Sequence, residues 1–212
     1  MIKFFKSLFG ANSAVTKLRE ITSPKQLRKG DMFEFRASPS LPEELSGHSF
    51  EVKKVATYFY TDCGVYEYTI KDGQNKPLFL SIEDFDGEEH IIVSKKLKRK
   101  DVEQALGTGV LAKLVKQSEI DALDVDDTAS TWLAKQYHCK AARAKGVYFE
   151  KAIRDLDQRP SGGEAFEYFE FYSDDETRSF EIEVWEGNEI EVCHGVVLPF
   201  TSIANYWCGN QH

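Results

Sequence analysis

The stretch Ser179–Val192, SFEIEVWEGNEIEV, alternates apolar and acidic side chains on both sides of a Gly-Asn pair. Successive residues of a strand point to opposite faces, so this alternation specifies an antiparallel hairpin. For Phe180, Ile182 and Val184 to share a face with Ile190 and Val192, Ile182 must lie opposite Val192 and Val184 opposite Ile190. That register leaves a three-residue loop, Glu186-Gly187-Asn188, in which Gly187 or Asn188 takes the left-handed conformation. It also sets Glu183 opposite Glu191, a like-charge pair costing about a few tenths of a kcal/mol. Buried apolar side chains at roughly 1.5–3 kcal/mol each outweigh it. Glu181, Glu183, Glu189 and Glu191 then fall together on a face that water can solvate. They become candidates for general acid–base work only in a concave site that raises their pKa values.

A similar hairpin lies one hundred residues earlier. Val65–Ile92 aligns with Ala165–Val192 without a gap: Tyr66 meets Phe166, Glu67 meets Glu167, Tyr68 meets Tyr168 and Gly87 meets Gly187. GHSFE at Gly47 echoes GVYFE at Gly146 at an offset one shorter. The matches keep turn, aromatic and strand positions in order, as a duplication would. Between the β-rich blocks the period changes to helical. Val102, Ala105, Leu106, Val110, Leu114 and Val115 share a helical pattern broken at Gly107 and Gly109. A second helix is expected from Asp127 to Gly146, with Ala129, Trp132, Leu133, Gln136 and Tyr137 on one face. The tail from Phe200 is read as one helical turn. The expected fold is α+β: two related antiparallel β-rich halves joined by a helical segment. The boundaries are an N-terminal helix and connection at 1–22, a first half at 23–98, a helical connector at 99–145 and a second half at 146–212.

In MIKFFKSLFG, Met1, Ile2, Phe4, Phe5, Leu8 and Phe9 share one helical face, opposite Lys3 and Lys6. Lys6 interrupts the apolar core an export signal needs, and no cleavage site follows. The segment is read as a contact for a protein partner or for self-association, through Ile2, Phe4, Phe5, Leu8 and Phe9. A weak membrane-surface anchor is the alternative. No apolar run reaches the roughly 18 residues of a membrane span. Cys63, Cys139, Cys193 and Cys208 lack paired spacing, so reduced thiols and a cytoplasmic location are expected, with reach to the inner face of the membrane. His138-Cys139 and Cys193-His194 would each lend one metal ligand at most, since strand neighbours diverge. No metal and no cofactor are expected.

Lysine and arginine number 27 against 35 acids, a net charge of −8, which opposes general nucleic-acid binding. GTGVLA at Gly107 fits a dinucleotide fingerprint in form, but the charged, helical residues before it supply no buried strand. DVDDTAS at Asp124 lacks the glycine and the bidentate glutamate of a calcium loop. The basic run KKLKRK, Lys95–Lys100, reads as a solvated strand end, or as a contact for an acidic partner or anionic lipid.

LRKGDMFEF, FEV, VYEYTI and LFLSIED, spanning Leu27–Val93, resemble an uncharacterised bacterial domain-of-unknown-function family. Its pattern is matched by Leu27, Gly30, Asp31, Glu67, Tyr68, Leu80 and Glu83, with Phe79 in place of the usual tryptophan and Ser38–Gly47 as an insertion. The resemblance implies genes near phage-shock-protein-A-like membrane-stress proteins, and no catalytic residues. A non-catalytic interaction or accessory protein is therefore expected. The alternatives are a small-ligand module with a pocket between the halves, lined by Glu67, Tyr68, Glu167 and Tyr168, or an unrecognised enzyme using His90, His194 and nearby acids.

Overall fold

The period-two runs pair into one antiparallel sheet of eleven strands in the computed structural model, which describes residues 19–60, 63–73, 76–85, 87–114, 116, 121–125 and 130–209. They are β1 (Met32–Phe35), β2 (Ser49–Tyr60), β3 (Cys63–Lys71), β4 (Pro77–Phe85), β5 (Glu88–Lys96), β6 (Ala122–Asp124), β7 (Gln136–Phe149), β8 (Glu164–Tyr172), β9 (Arg178–Trp185), β10 (Ile190–Pro199) and β11 (Ile203–Trp207). Among the described residues helix is confined to α1 (Arg99–Leu106) and α2 (Val110–Leu114), apart from three single 3-10 turns. The α+β expectation, with halves joined by a helical segment, is thus corrected to a mostly β chain.

The sheet order is β11-β1-β2-β3-β4-β5-β10-β9-β8-β7-β6, and β2 also pairs with β7, Tyr58 facing Tyr148. That extra pairing closes β2-β3-β4-β5-β10-β9-β8-β7 into an eight-stranded ring. Apolar side chains line its outside. On one flank Tyr68, Ile70, Leu80, Ile91 and Val93 pack under Phe33, Phe35, Phe50 and Trp132. On the other, α1 and α2 lay Val102, Ala105, Leu106 and Leu114 over Phe169, Phe171, Phe180 and Ile182. Gly107 and Gly109, at φ 86° and 82°, break the helical stretch where expected.

The segment expected as a second helix is largely β7. Its small residues, good helix formers in isolation, serve the barrel seam instead. Ala141 and Ala144 pack against the cluster of Tyr58, Phe166 and Tyr168. A Cβ on Gly146 would stand 2.2 Å from Phe166 Cζ. Pairing with β6 and β2 along one edge and β8 along the other overrides local propensity. Arg143 sits at φ 49° where the β7–β8 register slips. The tail forms a 3-10 turn and then β11, which pairs with β1.

The Ser179–Val192 hairpin has the expected register: Ile182 pairs with Val192, Glu183 with Glu191 and Val184 with Ile190. Both Gly187 (φ 82°) and Asn188 (φ 64°) are left-handed. The fixed offset of one hundred is not kept. Ile82 and Ile182 both face outward and Gly87 and Gly187 both sit at hairpin turns, but Glu67 faces the lumen while Glu167 faces out to Arg143. The proposed residue-for-residue duplication fails on that strand pair.

Candidate functional site in the barrel lumen

Because most ring strands turn their more apolar face outward, the alternate residues converge inside. β3 contributes Glu67, β4 Ser81 and Glu83, β5 Ser94 and Lys96, β8 Glu170 and Tyr172, β9 Glu181 and Glu183, and β10 Cys193. Tyr58 and Tyr60 project from β2. The enclosed space is about 40 Å³, against the ~10–15 Å³ one water needs on the same kind of measure. Tyr58, Glu67, Phe79 and Lys96 also line a cleft of about 640 Å³ beside Tyr148 and Trp185. Tyr60, Val65, Glu83 and Glu170 also line another, of about 540 Å³.

Five carboxyl groups thus share a space with one lysine, and Lys96 is already paired with Glu191. Burial raises the pKa of each carboxyl, and the neighbouring carboxylates raise most of them further. Glu67 is pushed up to about 7, chiefly by burial, with Lys96 and Lys54 opposing the rise. Glu83 also reaches about 7, through burial and then Glu170. Glu183 reaches about 8, through burial and then Glu67 and Glu191. Glu181 rises well above the carboxylate range, and Glu170 rises too. Burial also lifts the Cys193 thiol, which keeps its proton at neutral pH.

Hydrogen bonding independently requires protons in the cluster. Tyr172 Oη lies 3.1 Å from Glu83 Oε2 and 2.9 Å from Glu170 Oε1. A phenol carries one proton, so both contacts are satisfied only when one carboxyl donates to the phenol oxygen. Ser81 Oγ donates to Glu83 Oε1 at 3.2 Å, and Trp185 Nε1 donates to Glu183 Oε2 at 3.1 Å. Tyr60 Oη donates to Glu181 Oε1 across a long 3.4 Å.

Of the residues expected to line a pocket, Glu67 and Tyr168 face the lumen side. Tyr68 is buried in the outer core, and Glu167 accepts from Arg143 Nη2 at 2.9 Å on the outside. The residues that join Glu67 are instead Glu83, Glu170, Glu181 and Glu183. Of these, the sequence singles out Glu181 and Glu183 on β9 and sets them on a solvated face, because periodicity distinguishes two faces without saying which one closes on itself. The two histidines do not join them. His90 meets Phe85 edge to face, and His194 faces the opposite side of β10, 5.7 Å from the Trp132 ring. Burial pushes His194 down to about 3, and neither ring nitrogen has a partner among the described residues. Among the described residues no three His, Cys, Asp or Glu side chains converge as a metal site would require. The N-terminal contact residues Ile2, Phe4, Phe5, Leu8 and Phe9 lie outside the described residues.

The model of a domain of unknown function, DUF4178, matches residues 44–200. The chain belongs to that family. The matched residues contain all eight ring strands and every lumen carboxyl, whereas β1 and β11 lie beyond its ends. No curated protein and no solved structure matches the chain. The DUF4178 match thus coincides with the barrel. Among the described residues no helix is long and apolar enough to cross a membrane.

Proposed function

We propose that the DUF4178 barrel is a non-catalytic binding module whose lumen takes the cationic head of a small organic amine. The observation that carries this reading is the charge imbalance inside a closed ring: Glu67, Glu83, Glu170, Glu181 and Glu183 surround Lys96, itself already paired. Without a ligand, protons neutralise the cluster. An ammonium group would do so with directed hydrogen bonds to carboxylates and to the tyrosine oxygens. The five carboxyls come from four strands around the lumen, β3, β4, β8 and β9, an arrangement suited to a slender organic cation. The narrow lumen admits the head alone, and the clefts beside Trp185 and beside Tyr66 have room for a chain.

Binding would displace protons, because a cation favours the charged form of each carboxyl it touches. Calorimetric titration with ammonium, alkylamines and diamines, in buffers of different ionisation enthalpy, tests this directly. Saturable binding near neutral pH with net proton release is expected for at least one amine, weakened about tenfold or more in Glu181→Gln. Absence of saturable heat across the panel, or binding unaltered in Glu181→Gln and without proton release, overturns the reading. The accessory role expected at a membrane-associated assembly, and the phage-shock gene context implied by the family resemblance, stand as proposals that the lumen neither requires nor opposes.

A further inference from the structure

The ring ladder stops short between β3 and β4. β3 runs from Cys63 to Lys71 and β4 from Pro77 to Phe85, yet their pairing joins only Tyr68 to Leu80, Thr69 to Phe79, Ile70 to Leu78 and Lys71 to Pro77. Continued, that register would set Glu67 opposite Ser81, Tyr66 opposite Ile82 and Val65 opposite Glu83, and none of these pairs forms. Each strand stays paired on its far side, β3 with β2 as far as Cys63–Tyr60 and β4 with β5 as far as Phe85–Glu88. The shared edge alone parts. The cleft of about 540 Å³ lies there, lined by Val65 and Tyr66 from β3 and by Ile82 and Glu83 from β4. Its volume falls in the range of small-molecule sites. Leu156 lines it too, held to β3 by its carbonyl, which accepts from Gly64 N at 2.8 Å.

The cleft changes chemistry along its length. Glu83 and Glu170, which it shares with the lumen, meet Tyr172 Oη at 3.1 and 2.9 Å. Val65, Tyr66, Ile82 and Leu156 then give it apolar walls. Among its exposed acids, Glu89 is paired with Lys25 and Asp84 accepts from Gly87 N at 2.8 Å. The neighbouring groove, which also has Lys25 and Tyr66 in its lining, carries Arg28 and Lys29. A second ammonium therefore finds less at the outer end than an apolar chain finds along the walls. On the reading that the lumen takes an ammonium head, we infer that the ligand is a primary monoamine with an apolar body. The head lies between Glu83 and Glu170, and the body lies in the cleft between β3 and β4. The cleft beside Trp185 suits such a body less, because Lys54, Lys96, Glu164, Glu186, Glu189 and Glu191 make its lining mostly charged.

Calorimetric titration of the full chain with methylamine, butylamine, hexylamine and hexamethylenediamine tests the inference. Affinity should rise about threefold per methylene from butylamine to hexylamine. Hexamethylenediamine, of equal length but charged at both ends, should bind about tenfold or more weakly than hexylamine. Leu156→Ala should weaken hexylamine about fivefold or more and leave methylamine unchanged, so that methylamine also reports an intact lumen. The pair Glu186→Gln and Glu189→Gln, in the cleft beside Trp185, should leave hexylamine within about twofold of the parent. Affinity independent of chain length, or a diamine that binds as tightly as hexylamine, would overturn this inference and leave the lumen reading standing. So would a hexylamine loss in the glutamate pair rather than in Leu156→Ala, or an equal loss of methylamine and hexylamine in Leu156→Ala. Failure of every amine, methylamine included, would overturn both.

Discussion

Replacing Glu183 by glutamine should stabilise the protein at alkaline pH and leave it nearly unchanged at acid pH. Glu183 is 5% exposed, and its carboxyl is raised from an ordinary 4.5 to about 8 by burial and by Glu67 and Glu191. The folded state therefore holds a proton that the unfolded chain releases, and stability must fall as pH rises between those two values. The contribution is fully present below about 4.5 and lost as pH passes through about 8. Each tenfold difference in acidity is worth about 1.4 kcal/mol, which sets a ceiling of ~5 kcal/mol. Protons shared with Glu181 and Glu67 reduce this, so a gain of about 1–3 kcal/mol at pH ~8 is expected, and under about 0.5 kcal/mol at pH ~5. Glutamine keeps the volume and a carbonyl oxygen to accept from Trp185 Nε1. Urea unfolding at the two pH values, in amine-free buffer, measures the difference. A gain of the same size at both pH values, or a loss at pH ~8 larger than at pH ~5, would refute the argument that a buried proton sits on this group.

Two further outcomes concern the frame around the lumen. Gly146→Ala forces a Cβ to 2.2 Å from Phe166 Cζ at the β2–β7 seam, and should lower stability by about 1–3 kcal/mol in urea unfolding; an unchanged midpoint would mean the seam yields freely. Trp132→Phe removes the donor that meets Glu44 Oε2 at 3.0 Å and weakens the stacking under Lys95 Nζ, 4.1 Å from the ring. A cost of about 1–2 kcal/mol is expected, and it should shrink when Glu44 is already alanine; strict additivity in that double-mutant cycle would count against a shared contact.

What the sequence made legible follows from what local patterns encode. The hairpin register at Ile182–Val192 was legible because one face had to be apolar and the loop had to hold Gly187 and Asn188. The break at Gly107 and Gly109 was legible for a similar reason, since both need positive φ. β7 was not legible. Ala141, Ala144 and Gly146 are small because Phe166 and Tyr168 on the neighbouring strand β8 need the space beside them, and without that partner the alanines read as helix formers and Gly146 as the helix end. The offset of one hundred misled at β3 and β8, where equal spacing in sequence put Glu67 inside the ring and Glu167 outside it.

The site itself depends on that last, non-local fact. An alternating strand in an ordinary two-layer protein buries its apolar face and wets its polar one. Here ring closure through Tyr58–Tyr148 and Val93–Val196 encloses the polar face, while β1, β11, α1 and α2 cover much of the apolar one. Both faces are then withdrawn from water. A row of glutamates that would cost little on a surface becomes a reservoir of protons, with Tyr172 bonding to two carboxyls and Lys96 the one cation among the described residues inside. Burying five carboxyls is costly unless they are protonated or paired. A ligand that supplies positive charge would remove that cost, so the stabilisation it confers on the barrel should grow as pH increases, when the protons alone no longer suffice.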